Sequence, residues 1–281
     1  MNKTFGFGKN WQRFVNESLS QERVEIAQAH LLDRLRIENL TNKTFLDAGC
    51  GSGIHSLAAY LAGAKKIISF DVDPESVEST EALKENSGSP SNWKVLQGSV
   101  LDQEFLQTLE EFDIVYSWGV LHHSGHMWNA IRNVIIPLKS DGVLYIALYA
   151  EEMYQNPSPE YWIETKKRYN DASDAEKQLM ECDYAWKFVL EPIVKKGDNP
   201  LIHMRQYKES RGMEFWTDVR DWLGGYPIEF ASASALSQFA NNSLSMDVLE
   251  VHSGEGNTEY LLRKKKACNY WDAFLDKYKT I

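Results

Sequence analysis

Cysteine is scarce in this chain: three residues in 281, at positions 50, 182 and 268. Their spacing offers neither a disulfide framework nor a metal-binding pair, so no metal site is expected. Long hydrophobic runs are missing too. Nothing approaches the ~18 uninterrupted apolar residues of a membrane helix, and the opening MNKTFGFGKNWQ lacks the apolar core of a signal peptide. No membrane span is therefore expected, and the cytoplasm is the expected location. Positive charge is in deficit, with 30 basic against 40 acidic residues and a net charge of −10. Such a field repels phosphate backbones at long range, which makes nucleic acid an unlikely partner. The basic clusters at 166–168 and 263–266 read as solvated faces.

What is present is an ordinary globular balance, and 281 residues suit one large α/β domain with an elaboration. Val24, Ala27, Leu31, Leu32 and Leu35 recur at helical spacing after Ser20. From Thr44 the rhythm becomes strand and helix in alternation. Strands are predicted at 44–48, 66–71, 93–97, 112–117 and 142–149, with helices at 54–63, from Pro74, and at 127–137. Five such repeats with apolar strands predict a doubly wound parallel sheet. The rhythm stops after Tyr149. Residues 150–230 are rich in aromatics, with helices predicted at 173–190 and 213–223. A helix at 232–242 and a hairpin of strands around Gly254 and Gly256 complete the pattern. The expected organisation is an N-terminal helical arm or lid (1–43), a core (44–150 and 231–281), and an inserted, mainly helical cap (151–230).

The segment FLDAGCGSG, residues 45–53, concentrates the functional signal. Apolar strand, glycine turn and helix let a cofactor approach the backbone at a helix N-terminus. The spacing is G-x-G-x-G through Gly49, Gly51 and Gly53, not the G-x-G-x-x-G of a dinucleotide fold. Asp47 opens the motif and suits a cationic amino-acid end. The segment resembles motif I of the class I S-adenosylmethionine (SAM)-dependent methyltransferases, whose Rossmann-like seven-stranded sheet ends in an antiparallel pair. The resemblance implies SAM as cofactor and S-adenosylhomocysteine as product. It also implies cofactor contacts carried residue by residue. Asp71, 22 positions after Gly49, takes the ribose hydroxyls, with Val72 beside it. Ser99 and Val100 line the adenine edge. Ser117 and Trp118 pass the methionine portion, Trp118 offering a π-face to the sulfonium. Two readings stay open for Asp102 (adenine contact or helix cap), for His55 (carboxylate contact or cap) and for Trp11 (lid or packed arm).

The run YSWGVLHHSGHMWNAI, with GMEFWTDVRDWLGGYP further on, resembles a bacterial group like the ubiquinone-pathway O-methyltransferases. That likeness implies methyl-transfer chemistry and says little about the acceptor; the expectation is a small-molecule acceptor methylated at a hydroxyl oxygen. The alternatives are an RNA or protein acceptor, or a non-catalytic SAM-binding subunit. His122 and His123, at the rim after strand four, are the candidate bases. Tyr149, Arg205, Arg211 and Trp216 are the candidate substrate contacts: arginines suit an anionic acceptor and aromatics a ring. For the aromatics a place in the cap's own core is the competing reading. The sequence leaves the oligomeric state open.

Overall fold

The computed structural model describes residues 20–211, 214–254 and 256–265. Residues 1–19 of the predicted arm, Trp11 among them, lie outside the described residues. The elements are α1 (Gln21–Leu35), β1 (Thr44–Ala48), α2 (Ile54–Leu61), β2 (Lys66–Asp71), α3 (Pro74–Asn86), β3 (Trp93–Gln97), α4 (Gln103–Thr108), β4 (Phe112–Trp118), α5 (Met127–Val134) and β5 (Leu138–Tyr149). Then follow α6 (Pro159–Asp171), α7 (Asp174–Tyr184), a π-helical turn (Ala185–Leu190), α8 (Glu191–Lys195), α9 (Pro200–Arg211), α10 (Phe215–Gly224), α11 (Ala233–Ser243), β6 (Met246–Ser253) and β7 (Asn257–Lys264).

The strands form one seven-stranded sheet in the order β3-β2-β1-β4-β5-β7-β6. The first five run parallel, and β7 pairs antiparallel with both β5 and β6. Alternation within the strands sends side chains into two cores. Phe45, Ile67, Ile114 and Tyr145 meet α1 and α2 on one face. Leu46, Val115, Ile146 and Leu262 meet α4, α5 and α11 on the other. The result is the three-layer Rossmann-like architecture that the alternating rhythm predicts. The parallel order reverses direction at β1 and β4, and ligands of doubly wound sheets bind beyond the strand ends at that point.

Two differences from the sequence reading have physical causes. Strand five begins at Leu138, not at 142, because Leu138 pairs with Phe112 across an irregularity that resumes regular register at Val143. Helices α6 and α9 escape the periodicity search. On α6 the buried positions are Trp162, Lys166 and Tyr169, so the apolar stripe is broken by a lysine. The signal that could have found it is Ser158 as N-cap before Pro159, since its hydroxyl accepts from the Tyr161 N–H. Lys166 is therefore no solvated residue, unlike its neighbours Lys167 and Arg168.

Candidate active site

The turn after β1 is built for close approach. Gly49, Gly51 and Gly53 all have positive φ, and Gly53 caps α2. A Cβ on Gly49 would lie 2.4 Å from Val120 Cγ1, so a side chain there has no room. The loop is pinned at Gly49 and Cys50, whose N–H groups donate to the Phe70 carbonyl, and at Gly51, whose N–H donates to Asp71 Oδ2 at 3.0 Å. Asp71 Oδ1 accepts from the Asp73 N–H at 3.0 Å. Burial raises the Asp71 pKa, and the N–H donors at Asp73 and Gly51 oppose it. The carboxylate is thus aimed, with lone pairs to spare on each oxygen.

Asp47 sits beneath this loop and is 2% exposed. Its Oδ2 accepts from the Ser56 hydroxyl at 2.5 Å; Ser56 continues to Ser69, and Ser69 to the Trp93 indole. Burial pushes the Asp47 pKa up to about 7, against the lowering bond from Ser56 and with repulsion from Asp71. The geometry makes Asp47 the anchor between β1 and the first turn of α2.

Val72 is 65% exposed beside Asp71, and Leu101 and Trp118 are also exposed at the same sheet edge. Apolar side chains left open beyond the strand ends suit the flat face of an adenine and the alkyl part of SAM. A Cβ on Gly119 would meet nothing within 4 Å, which leaves open space after β4 where the methionine portion would pass. These residues fit SAM. The other predicted contacts divide. Ser99 accepts from the Leu101 N–H through its hydroxyl, and Val100 is buried in the core. Ser117 is fully buried and donates to the Ala48 carbonyl at 2.7 Å, tying β4 to β1. Its hydroxyl is thereby committed within the sheet and does not face the site, a correction to the sequence reading. Asp102 resolves as the N-cap of α4, accepting from the Phe105 N–H. His55 packs on Tyr116 and Trp118, and burial holds its pKa down, to about 4.

Trp118 is held by a residue that sequence reasoning missed. Glu259 on β7 accepts from the Trp118 indole (3.0 Å) and pairs with Arg34 (2.8 Å) and His30 (3.2 Å) of α1. Burial would raise its pKa, and the bonds from His30 and Trp118 overcome this and bring it to about 2. Nothing local in the strand TEYLLRK marks this glutamate, because its partners come from α1 and β4.

At the other end of the site, His122 and His123 occupy a 3₁₀ turn after β4. His123 Nδ1 is 2.8 Å from the Pro227 carbonyl. A carbonyl can only accept, so Nδ1 carries the proton and Nε2 the lone pair. Burial lowers its pKa to about 4, against that bond. His122 is fully buried, its ring 4.2 Å from that of Tyr149. Burial, then His123 and Lys166, lower its pKa well below the usual range. Both rings are neutral near pH 7. Tyr149 joins this group. Arg205 lies exposed on α9, and Trp216 packs on Phe215 in the helical subcore. Arg211 ends α9, and its side chain is outside the described residues.

A methyltransferase-domain model matches residues 39–198. The chain belongs to the methyltransferase-domain family. It carries a SAM-dependent methyltransferase fold, and SAM is the cofactor of that domain. Over 93 residues it is 41% identical to the tRNA U34 carboxymethyltransferase of Shewanella oneidensis, a match covering 32% of this chain and 27% of that protein. The enzyme of the same name from Shewanella sp. (strain ANA-3) is 41% identical over 87 residues, covering 31% and 26%. The chain thus spans about a quarter of the length of the curated relatives it matches. Among solved structures it is similar to a chain from the complex of the Haloferax volcanii Trm112 methyltransferase activator with its methyltransferase. There the TM-score is 0.54 at 14% identity, covering 95% of this chain and 100% of that one. A SAM-dependent methyltransferase of Methanococcus maripaludis gives 0.51 at 17% identity over 96% and 98%. These two likenesses establish the fold alone.

The expectation of a small-molecule acceptor, with nucleic acid an unlikely partner, is overturned by the relatives named for tRNA. It rested on net charge, which sums over the whole chain, whereas phosphate contact depends on where charge lies. Residues 159–211 hold ten basic and ten acidic residues, so the net −10 is carried elsewhere. Lys167, Arg168, Lys187, Lys195, Lys196 and Arg205 of this segment are exposed. The likeness to the ubiquinone-pathway group does not recur among these relatives.

Proposed function

We propose that this chain is a tRNA methyltransferase that moves the methyl group of SAM onto a uridine. The observation that carries the acceptor is the 41% identity over 93 residues to an enzyme named tRNA U34 carboxymethyltransferase, on a chain whose helical insertion is electrically balanced and displays exposed lysines and arginines; methyl as the group moved follows from the methyltransferase domain, not from that relative's name. Transfer to a small-molecule hydroxyl yields to it.

Asp71 would take the ribose hydroxyls of the cofactor, the backbone from Gly49 to Gly53 would lie along its amino-acid end, and Val72 would lie against the adenine. When bound, SAM supplies a methyl group already activated by its sulfonium. The protein's work is then alignment, exclusion of water and removal of a proton. Trp118, held by Glu259, presents its ring where positive charge would lie. His123, fixed by Pro227 with its lone pair on Nε2, would accept a proton from the acceptor. Insertion of a base into such a site requires that the nucleotide leave its stack, as enzymes acting on nucleobases generally arrange.

The test is incubation of the purified chain with methyl-labelled SAM and unmodified tRNA transcripts, followed by nuclease digestion and separation of nucleosides. Label in a uridine derivative is the expected outcome. Label that stays out of tRNA but enters small molecules from a cell extract would refute the proposal.

A further inference from the structure

Helix α6 buries a lysine inside an aromatic cluster. Lys166 is 1% exposed, and its Nζ donates to the Trp222 carbonyl and lies 3.8 Å from the centre of the Trp222 ring. Burial lowers its pKa to about 7, which is the mark of an amine far from water. The same cluster holds three buried nitrogen atoms with no hydrogen-bond partner among the described residues: Nδ1 and Nε2 of His122 and Nε1 of Trp222. Tyr149 connects them, its ring 4.2 Å from His122 and 5.6 Å from Trp222, and Tyr154 stacks on Trp222 at 5.7 Å with an interplanar angle of 11°.

Native proteins retain few orphaned buried polar groups, and each calls for an explanation. Here three such nitrogen atoms border the ring of Tyr149, at the rim of the candidate active site. The groups available are an amine, an indole N–H, and an imidazole offering one donor and one acceptor. Their complement is a planar ring with carbonyl oxygens on either side of an N–H, and aromatic faces suit its stacking. Uracil has that edge: O2, N3–H, O4. Cytosine puts an amino group where O4 would be, leaving a buried donor facing a donor.

We propose that His122, Lys166 and Trp222 form the subsite that reads the edge of the acceptor's uracil ring, with Tyr149 and Tyr154 as its apolar walls. This rests on the tRNA reading above. Lys166 and Trp222 donate to the carbonyl oxygens, and His122 accepts from N3–H.

The experiment measures binding of fluorescein-labelled oligonucleotides of eight uridines or eight cytidines to the full chain, for the parent and for Lys166→Met. SAM binding by calorimetry reports that the fold is intact. A buried polar edge that loses its match discriminates strongly, so the parent should prefer uridine by about 10-fold or more. Lys166→Met should erase the preference and leave SAM affinity within about twofold. A parent that binds both oligomers alike, or neither, overturns the subsite, as does a Lys166→Met protein that keeps the preference. Should Lys166→Met lose SAM binding as well, Trp222→Phe decides. It removes only the indole N–H and retains an aromatic ring, and an unchanged preference there overturns the proposal. Labelling of tRNA by a parent without uridine preference would defeat the subsite alone; absence of tRNA labelling would defeat the tRNA reading itself.

Discussion

Replacing Asp71 with alanine tests the cofactor site at its most exposed assumption. In the folded chain both carboxylate oxygens already accept a backbone N–H, from Gly51 and from Asp73, each at 3.0 Å. A bound ribose would add two hydroxyl donors to the remaining lone pairs. Hydrogen bonds to a charged group contribute about 1.5–3 kcal/mol each. The carboxylate loses further hydration on binding, which offsets part of this, so the net loss on removal is about 3 kcal/mol. At about 1.4 kcal/mol per decade, SAM should bind ~100-fold more weakly. The fold should lose less. Two partly exposed loop bonds go, at about 1–2 kcal/mol together, which lowers Tm by a few degrees in a domain of this size. Calorimetric titration with SAM gives the first quantity and a thermal melt the second. Asp71→Asn, which keeps an acceptor and the shape but loses the charge, should fall between. A Kd within about threefold of the parent's in a folded Asp71→Ala protein would refute the assignment, since ~100-fold is expected.

Asp47 and Gly49 give two further predictions. Asp47 is protonated more readily folded than unfolded, its pKa raised from 3.8 to about 7. The folded state therefore binds more protons between those values, so the stability this group lends is complete below about pH 4 and falls as pH rises to about 7. Asp47→Asn keeps an acceptor for Ser56 and removes the titration. Urea midpoints of the cofactor-free protein should show the variant gaining on its parent from pH 5 to pH 8, and an equal pH dependence in both would contradict the burial argument. Gly49→Ala places a methyl 2.4 Å from Val120 Cγ1 at a φ of +85°. Left-handed backbone costs about 1–2 kcal/mol, and displacement of Val120 adds to it, for a total of about 2–4 kcal/mol. An unchanged urea midpoint would show that the loop yields more easily than its contacts imply.

The sheet was legible because its strands are buried on both faces and read as short apolar runs between turn residues. The glycine loop was legible because φ near +85° at Gly49, +53° at Gly51 and +80° at Gly53 demands glycine itself. Asp71 followed from its place at a strand end. Ser117 sits at the same kind of strand end and was misread for that reason: whether a hydroxyl faces the site or its neighbouring strand depends on the Ala48 carbonyl, 69 residues away. The insertion was the least legible part. A helix whose buried stripe contains Lys166 has no clean apolar period, and the aromatics of 150–230 could not be divided between core and pocket by composition.

By itself the sequence determined what depends on neighbours in the chain: strand alternation, helix caps such as Ser20 and Ser158, the conformations of the glycine turn, and the carboxylate closing β2. Those are local consequences of sterics and hydrogen bonding. Only the tertiary structure decided which distant groups share a dielectric. It set Glu259 between α1 and Trp118, turned His122 into a neutral ring in an aromatic wall, and buried Lys166 against Trp222, 56 residues along the chain. Charge and protonation depend on that enclosure, and so the chemistry of the acceptor side came from the fold.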